Sequence, residues 1–287
     1  MLADRNARYD WLWTGRVLLG LLVFAPVAWV LIYSLLSSLG VLGSFGRRPT
    51  FSNWIVAVQS GVLWQNILYT LSVSGVSTLL AGALSLGFVL YRAEERNRRS
   101  THLVLCLLLG TPSVVMGFIV YQLLNPGGYL ARLAHAIGLL ASPDHWPALV
   151  NDRWAVGIIV AQTLVSVPLL TLYFFNIWET AQIDRFRQLA HTLGATSTQS
   201  RWLVACPMLW KRGWSLLLLT FLFNLGSYEI PLLLGRQSPQ FLSVLTQRHF
   251  GQFDLADRPV AFVLSVVYFI LAAGLLWVML SRRPARD

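Results

Sequence analysis

The residues that can do chemistry in this chain are six polar side chains placed within long apolar stretches. They are Gln162, Ser166, Asn224, Ser227, Tyr228 and Glu229. Polar groups in such stretches usually face a protein interior or a water-filled cavity, because lipid solvates them poorly. Glu229 carries the only charge among them, and its carboxylate can attract a cation. A pairing with Arg236, or a place among lipid headgroups, would also explain Glu229. The six are candidates for the lining of a pathway.

Catalytic and nucleotide-binding motifs are absent from the sequence. A phosphate-binding loop needs a lysine followed by a hydroxyl residue, but Arg212 follows the single lysine, Lys211. There is no HExxH, no GxSxG and no His/Cys cluster with the spacing of metal ligands. Cys106 and Cys206 form no CxxC pair. We therefore expect no catalytic residue, metal or cofactor, and no ATPase activity from this chain alone.

The elements that must position these residues are membrane-spanning helices. Of the 287 residues, 56% are hydrophobic and only 12% are charged, whereas soluble domains carry about 25% charged residues. A span needs about 20 mostly apolar residues. Six stretches meet this length, at about 17–36, 68–90, 103–124, 155–175, 214–234 and 260–280. The sequence predicts an all-α polytopic membrane protein with six transmembrane helices.

The distribution of arginine and lysine predicts the orientation of the spans. If the N-terminus is cytoplasmic, the segments 1–16, 91–102, 176–213 and 281–287 lie inside and hold fifteen of the 22 Lys and Arg residues. Cytoplasmic loops are enriched in these residues, so both termini are predicted to be cytoplasmic. The net charge of +10 therefore reflects orientation, and with no long basic run it does not indicate nucleic-acid binding.

The longest inner loop, 179–207, is predicted to contain two short helices. Apolar residues between Ile183 and Leu193 follow helical spacing. Gly194 then ends the pattern as a C-terminal glycine would, and a second helix can start at Thr196 or Ser197. One amphipathic face is left free to dock a partner. A helix pair lying on lipid headgroups fits the same pattern.

The loop resembles the cytoplasmic signature loop of binding-protein-dependent ABC importer permeases of the type I, methionine-importer-like class. That motif runs Glu-Ala-Ala, three residues, Gly, and a hydrophobic stretch that ends in Pro. The matching positions here are Gln188, Leu189, Ala190, Leu193, Gly194, Ala195 and Pro207. The passage 224–250 is similar to the spermidine/putrescine-type branch. Two of the first three positions depart from the motif: Gln188 stands where the family usually has glutamate, and Leu189 where it has alanine.

This resemblance implies a permease subunit of an ATP-driven importer in the bacterial cytoplasmic (inner) membrane. The seven motif residues would dock on a dimer of cytoplasmic ABC ATPases and couple it to transport. The outer loops would receive a periplasmic substrate-binding protein, and a second permease chain, identical or a sister, would complete the pathway. The solute would be small and polar, with a polyamine-like molecule favoured and iron, thiamine, phosphonate or a sulfate-like anion as alternatives.

The chain is expected to divide into three parts. Residues 1–64 would hold the N-terminal tail, the first span and a periplasmic interfacial segment. Residues 65–281 would form the permease core with the coupling loop 179–207, and residues 282–287 would be a cytoplasmic tail. Two other function classes are consistent with a membrane bundle, a membrane-embedded enzyme and an ion-coupled carrier. The first predicts clustered catalytic groups and the second more spans with an internal repeat, and the sequence shows neither.

Overall fold

The structure is a computed structural model that describes residues 3–42, 49–251 and 258–281. The predicted tail 282–287 lies outside these residues. Every regular element in the described ranges is helical. The α-helices are α1 (Ala3–Ser38), α2 (Ser52–Gln59), α3 (Val62–Tyr91), α4 (Arg99–Leu109), α5 (Ser113–Leu124), α6 (Tyr129–Ala136), α7 (Val156–Thr180), α8 (Ile183–Thr192), α9 (Ser197–Gln199), α10 (Cys206–Leu225), α11 (Glu229–Leu234), α12 (Leu242–Phe250) and α13 (Arg258–Ser281). Short 3-10 helices cover Ala93–Asn97 and Pro143–His145, and a π-helical turn covers Ser200–Ala205.

Five stretches of the described chain are long and apolar enough to cross a membrane. They are Gly15–Ser38, Val62–Tyr91, Ser113–Ala136, Val156–Thr180 and Arg258–Val278. Many of their apolar side chains are exposed, for example Leu22 and Trp29 on α1. Such surfaces fit contact with lipid, because a soluble protein rarely leaves so much apolar area in water. The all-α polytopic fold is therefore confirmed, as a multi-pass membrane protein.

The predicted third span, 103–124, is not one helix. α4 ends at Leu109 and α5 begins at Ser113, with Pro112 as the residue before its first turn. Proline lacks the N–H that would continue the ladder and disfavours helical backbone at Thr111 before it. The apolar stretch that is long enough to span the membrane is therefore Ser113–Ala136, which contains both α5 and α6.

The predicted fifth span, 214–234, is also broken. α10 starts earlier, at Cys206, and ends at Leu225, and α11 begins at Glu229. A continuous helix would press the ring of Pro231 against the carbonyl of Ser227. In α11, Pro231 lies in the first turn, where no N–H is needed. This break places Ser227, Tyr228 and Glu229 at the joint between two helices.

The chain forms two compact units by contact, one from residues 1–63 with 245–273 and one from 64–244 with 274–287. In the first unit, Phe262 of α13 packs edge-on against Tyr33 of α1 and Phe250 of α12, with ring centroids 5.6 and 4.9 Å apart. Trp54 Nε1 donates a hydrogen bond to Ser38 Oγ at 3.2 Å. These units are defined by contacts in space, whereas the predicted division into three parts follows chain order. The predicted division stays a prediction.

The second unit holds the candidate functional residues and has two apolar cores. One core surrounds Phe174 and Trp178 of α7 and Leu209 of α10. The other surrounds Ile158 of α7 and Leu234 of α11. α7 lies in both cores, so it is the central helix of this unit. Both candidate sites described below are built on it or directly follow it.

Candidate functional site

The first candidate site is the coupling segment, residues 179–207. α8 ends in a glycine motif: Ala195 N donates to Ala190 O at 2.9 Å, and Gly194 N donates to His191 O at 3.0 Å. Gly194 has φ +88°, a left-handed conformation that glycine adopts without a steric penalty. The predicted helix end at Gly194 is confirmed. The next helix therefore leaves in a new direction.

The second helical piece begins where the sequence predicts it. Thr196 caps α9, with Gln199 N donating to Thr196 Oγ1 at 3.3 Å and Thr196 N donating to Gln199 Oε1 at 2.9 Å. This reciprocal pair is a capping box, which satisfies backbone donors at a helix start. The helix continues through the π-helical turn Ser200–Ala205 into α10. Pro207 lies in the first turn of α10.

One side of α8 exposes apolar side chains, and another side is buried against the protein core. Leu193 is 88% exposed and Leu189 is 59% exposed, with Phe186 also exposed one turn earlier. Ile183 is fully buried in the core around Trp178. Gln188 is exposed as well, and Ala190 and Ala195 are half-buried. Exposed apolar side chains on an anchored helix form a surface suited to a partner.

Charged contacts fix α8 to the 3-10 helix after α3 and to the end of α7. Arg96 pairs with Asp184 at 2.9 Å and with Glu179 at 3.8 Å. Arg187 lies over the ring of Trp178, at 5.5 Å from its centroid. Arg96 belongs to the 3-10 helix after α3, so the pair connects the segment to a second part of the bundle. No local pattern in the sequence marks Arg96, because its partner Asp184 lies 88 residues away along the chain.

The second candidate site begins with a buried polar cluster at three helices. Asn224 of α10 is 1% exposed. Its Nδ2 donates to Thr78 Oγ1 of α3 at 3.0 Å and to Ser166 Oγ of α7 at 3.3 Å. Gln162 Nε2 of α7 donates to Asn224 O at 3.1 Å. Gln162 and Ser166 are buried here, and their place in a pathway stays a prediction.

The other three predicted pathway residues line an open pocket. This Glu229 pocket has a volume of about 390 Å³, and its lining includes Ser227, Tyr228, Glu229 and also Asn224. Ser113 Oγ donates a hydrogen bond to the Glu229 carboxylate. Glu229 forms no ion pair with Arg236, although both residues are described. No local pattern in the sequence marks Ser113 or Thr78, because only the fold brings Ser113 of α5 to Glu229 and Thr78 of α3 to Asn224.

Titratable groups outside the spans show one notable shift. Burial raises the pKa of the Cys206 thiol above its ordinary value. Over residues 3–42, 49–251 and 258–281, no three His, Cys, Asp or Glu side chains come together as a metal site.

Comparison with known proteins identifies the fold. No protein-family model matches the sequence, and no curated protein sequence matches it. A chain in the crystal structure of a bacterial ABC transporter involved in the import of the acidic polysaccharide alginate is similar, with a TM-score of 0.69 and 16% sequence identity. The similarity covers 100% of both chains. The protein therefore has the fold of a membrane chain of a bacterial ABC transporter.

Proposed function

We propose that this chain is the permease subunit of an ATP-driven ABC importer and forms the pathway through which a small polar solute crosses the membrane. One observation carries the proposal: the glycine motif at Gly194 terminates an anchored helix, α8, and Leu189 and Leu193 at its end are exposed to solvent. A rigid helix with an exposed apolar tip suits docking in a groove of a moving partner. The shared fold with a chain of an ABC transporter supports this function.

In this proposal, the docking residues are Gln188, Leu189, Ala190, Leu193, Gly194, Ala195 and Pro207. The partner is a dimer of cytoplasmic ABC ATPases, which supplies the ATP hydrolysis. Leu189 and Leu193 supply most of the apolar contact, whereas Gln188 sits at the exposed edge of α8. Pro207 lies in the first turn of α10, so a displacement of the docked segment is passed directly to the helix that carries Asn224.

The proposed location is the bacterial inner membrane with both termini cytoplasmic. Fifteen of the 22 Lys and Arg residues support this orientation. A second permease chain faces this one, and a periplasmic substrate-binding protein delivers the solute to the outer loops. The pathway residues are Gln162, Ser166, Asn224, Ser227, Tyr228 and Glu229. The Glu229 carboxylate is the observation that favours a cationic, polyamine-like solute. The alternatives are iron, thiamine and a phosphonate or sulfate-like anion, and the second pocket described below favours the anion.

The test of docking co-expresses this chain with candidate ABC ATPases from the same genome and measures how much ATPase is retained on purification. Leu193→Asp places a charge at the most exposed apolar position of the segment. Burial of a leucine contributes about 1.5–3 kcal/mol, so we expect roughly tenfold or greater loss of retained ATPase in mild detergent. Leu139→Asp is the matched control, since Leu139 is 73% exposed and belongs to a predicted outer loop. Equal retention by both variants would refute the docking role.

A further inference from the structure

A second and larger pocket lies at the start of α3 and α7. This arginine pocket has a volume of about 700 Å³. Its walls are one face of α3, the turn before α7 and the segment after α11. The polar and aromatic residues that matter here are Gln65, Tyr69, Arg153, Trp154 and Arg236.

Hydrogen bonds hold the three walls together. Asn151 N, in the turn before α7, donates to Leu234 O at the end of α11 at 2.9 Å. Leu242 N donates to Thr70 Oγ1 of α3 at 3.0 Å. Gln240 N donates to Asn66 Oδ1, also on α3. The segments that carry Arg153 and Arg236 are therefore tied to each other and to α3, so the pocket is built before any ligand arrives.

The charge of the lining is positive. Arg153 and Arg236 both line the pocket, and among the described residues no Asp or Glu does. A nearby acid, Asp152, lies just outside the lining: its carboxylate accepts hydrogen bonds from Trp154 N at 2.9 Å and Val156 N at 3.0 Å, at the start of α7, and its charge also acts on the Tyr69 side chain. Neither guanidinium group forms an ion pair with Asp152 or with another described acid. Arginine forks match carboxylate and phosphate oxygens well.

Aromatic residues and an unused donor complete the site. Trp154 is 79% exposed and can cover an organic ligand. The hydroxyl of Tyr69 is buried and has no hydrogen-bond partner among the described residues. Buried hydroxyls are normally paired, so this group is available to an oxygen of a ligand. The lining therefore combines positive charge, apolar area and free donors.

The face of α3 that lines this pocket continues along the helix and lines a second pocket. Positions 65, 68, 72 and 76 line the arginine pocket, and positions 79 and 82 line a smaller apolar pocket of about 200 Å³ beside Trp210 and Trp214. Steps of three and four residues place all six on one side of the helix. α3 thus presents one surface from the arginine pocket to a second cavity.

We propose that the arginine pocket binds the anionic group of the transported solute, and so that the solute is a small organic or inorganic anion rather than a polyamine. That the bound anion is transported rests on the proposed function, whereas binding of an anion in this pocket does not. A polyamine would meet two guanidinium charges with no acid in the lining to offset them. A carboxylate, sulfate or phosphonate would meet two charged donors and the Tyr69 hydroxyl.

The test is ligand binding to the purified full chain in phosphatidylcholine nanodiscs. The probes share a five-carbon chain and differ in charge: glutarate, 1,5-pentanediol and cadaverine. The signal is the part of the tryptophan fluorescence change that Trp154→Phe removes. We expect a saturable change with glutarate and none with the other two. A response to cadaverine equal to or greater than the response to glutarate would overturn the proposal.

Substitution of the arginines tests which residues bind. Hydrogen bonds to charged groups contribute about 1.5–3 kcal/mol, so Arg153→Gln and Arg236→Gln should each weaken glutarate binding about tenfold or more. Arg132→Gln on α6, outside the lining, is the matched control and should bind as wild type. Unchanged binding in the double variant would overturn the assignment. If a variant does not fold, the comparison of the three probes on wild-type protein still decides.

The outcome is independent of the ATPase experiment. Fluorescence is read on this chain without an ATPase, so failure of co-purification leaves the anion site standing. Equally, if the pocket shows no preference for glutarate, the proposal of an anionic solute is refuted and the docking proposal is unaffected.

Discussion

Gly194 shows how one residue shapes the coupling segment. Its φ of +88° lies where other residues are strained, and a Cβ added there would meet nothing within 4 Å. The requirement for glycine is therefore conformational and not steric. Arg96 acts differently, since it holds the segment through ion pairs to Asp184 and Glu179. The joint and its attachment thus depend on separate residues.

Gly194→Ala should loosen the joint without a clash. A left-handed alanine costs about 1–2 kcal/mol, so we expect backbone hydrogen exchange at 193–197 to accelerate about five- to thirtyfold. Gly194→Asn should have a smaller effect, because asparagine tolerates this conformation better. The control is Gly87→Ala in α3, where an added Cβ also meets nothing within 4 Å and the backbone is helical. Equal exchange in both alanine variants would contradict the argument.

Prolines determine where two of the helices are broken, whereas a buried asparagine determines how three of the helices pack together. Pro112 and Pro231 end continuous helices that hydrophobicity alone would extend. Asn224 then joins α10 to α3 and α7 through Thr78, Ser166 and Gln162. A polar cluster of this kind fixes the register of three apolar helices, which leucine contacts alone would leave less well defined.

Asn224→Ala should lower the stability of the bundle. Interhelical hydrogen bonds in membrane proteins contribute about 1 kcal/mol, and the change also leaves Thr78 and Ser166 without this partner. We expect the melting temperature in detergent to fall by about 2–4 °C, measured by circular dichroism. The matched control is Asn176→Ala on α7, an exposed asparagine, for which no shift is expected. A shift of equal size in both variants would argue against a structural role of the cluster.

Lys and Arg are distributed unequally between the segments on the two sides of the membrane, and this distribution predicts the orientation of the whole molecule in the membrane. The coupling segment and the Arg96 contacts lie on the side rich in arginine, and the arginine pocket belongs to the loops predicted to be outside. Cys206 begins α10 on the predicted inner side, before the predicted fifth span. Its thiol offers a direct measurement of which side is cytoplasmic.

In a Cys106→Ser variant, Cys206 is the single cysteine. A membrane-impermeant maleimide should label it in inverted vesicles and not in intact spheroplasts. Because burial raises the thiol pKa, less reactive thiolate is present at neutral pH than for an ordinary cysteine. Labelling should therefore be slow at pH 7 and become faster as pH rises through and beyond the ordinary thiol pKa.

The control places a cysteine on the predicted outer side. Ala141→Cys in a variant lacking both native cysteines uses an exposed position and should be labelled in intact spheroplasts. Labelling of Cys206 from the same side as Ala141→Cys would contradict the predicted orientation. A rate for Cys206 that does not depend on pH would contradict the raised pKa.

Local features were predictable because their causes are local. Periodic apolar residues predicted the helices, Gly194 the joint and Thr196 the next start, since each depends on residues within one or two turns. The predicted third and fifth spans are each divided between two helices, with Pro112 at the first break and Pro231 just after the second. A count of apolar residues does not detect such breaks, and α7 continues through Pro168. Arg96, Thr78 and Ser113 were not found, because each acts through a partner far away in sequence.

The sequence by itself determined that this is a helical multi-pass membrane protein, because apolar length and the near absence of charge leave no other way to satisfy the backbone in lipid. It also determined the helix–glycine–helix segment, through the backbone preferences of single residues. Only the tertiary structure decided which polar groups meet. It buried Gln162 and Ser166 around Asn224, opened the Glu229 pocket at a helix break, and brought Arg153 and Arg236 into one lining. Those outcomes depend on packing between distant segments, which no local pattern encodes.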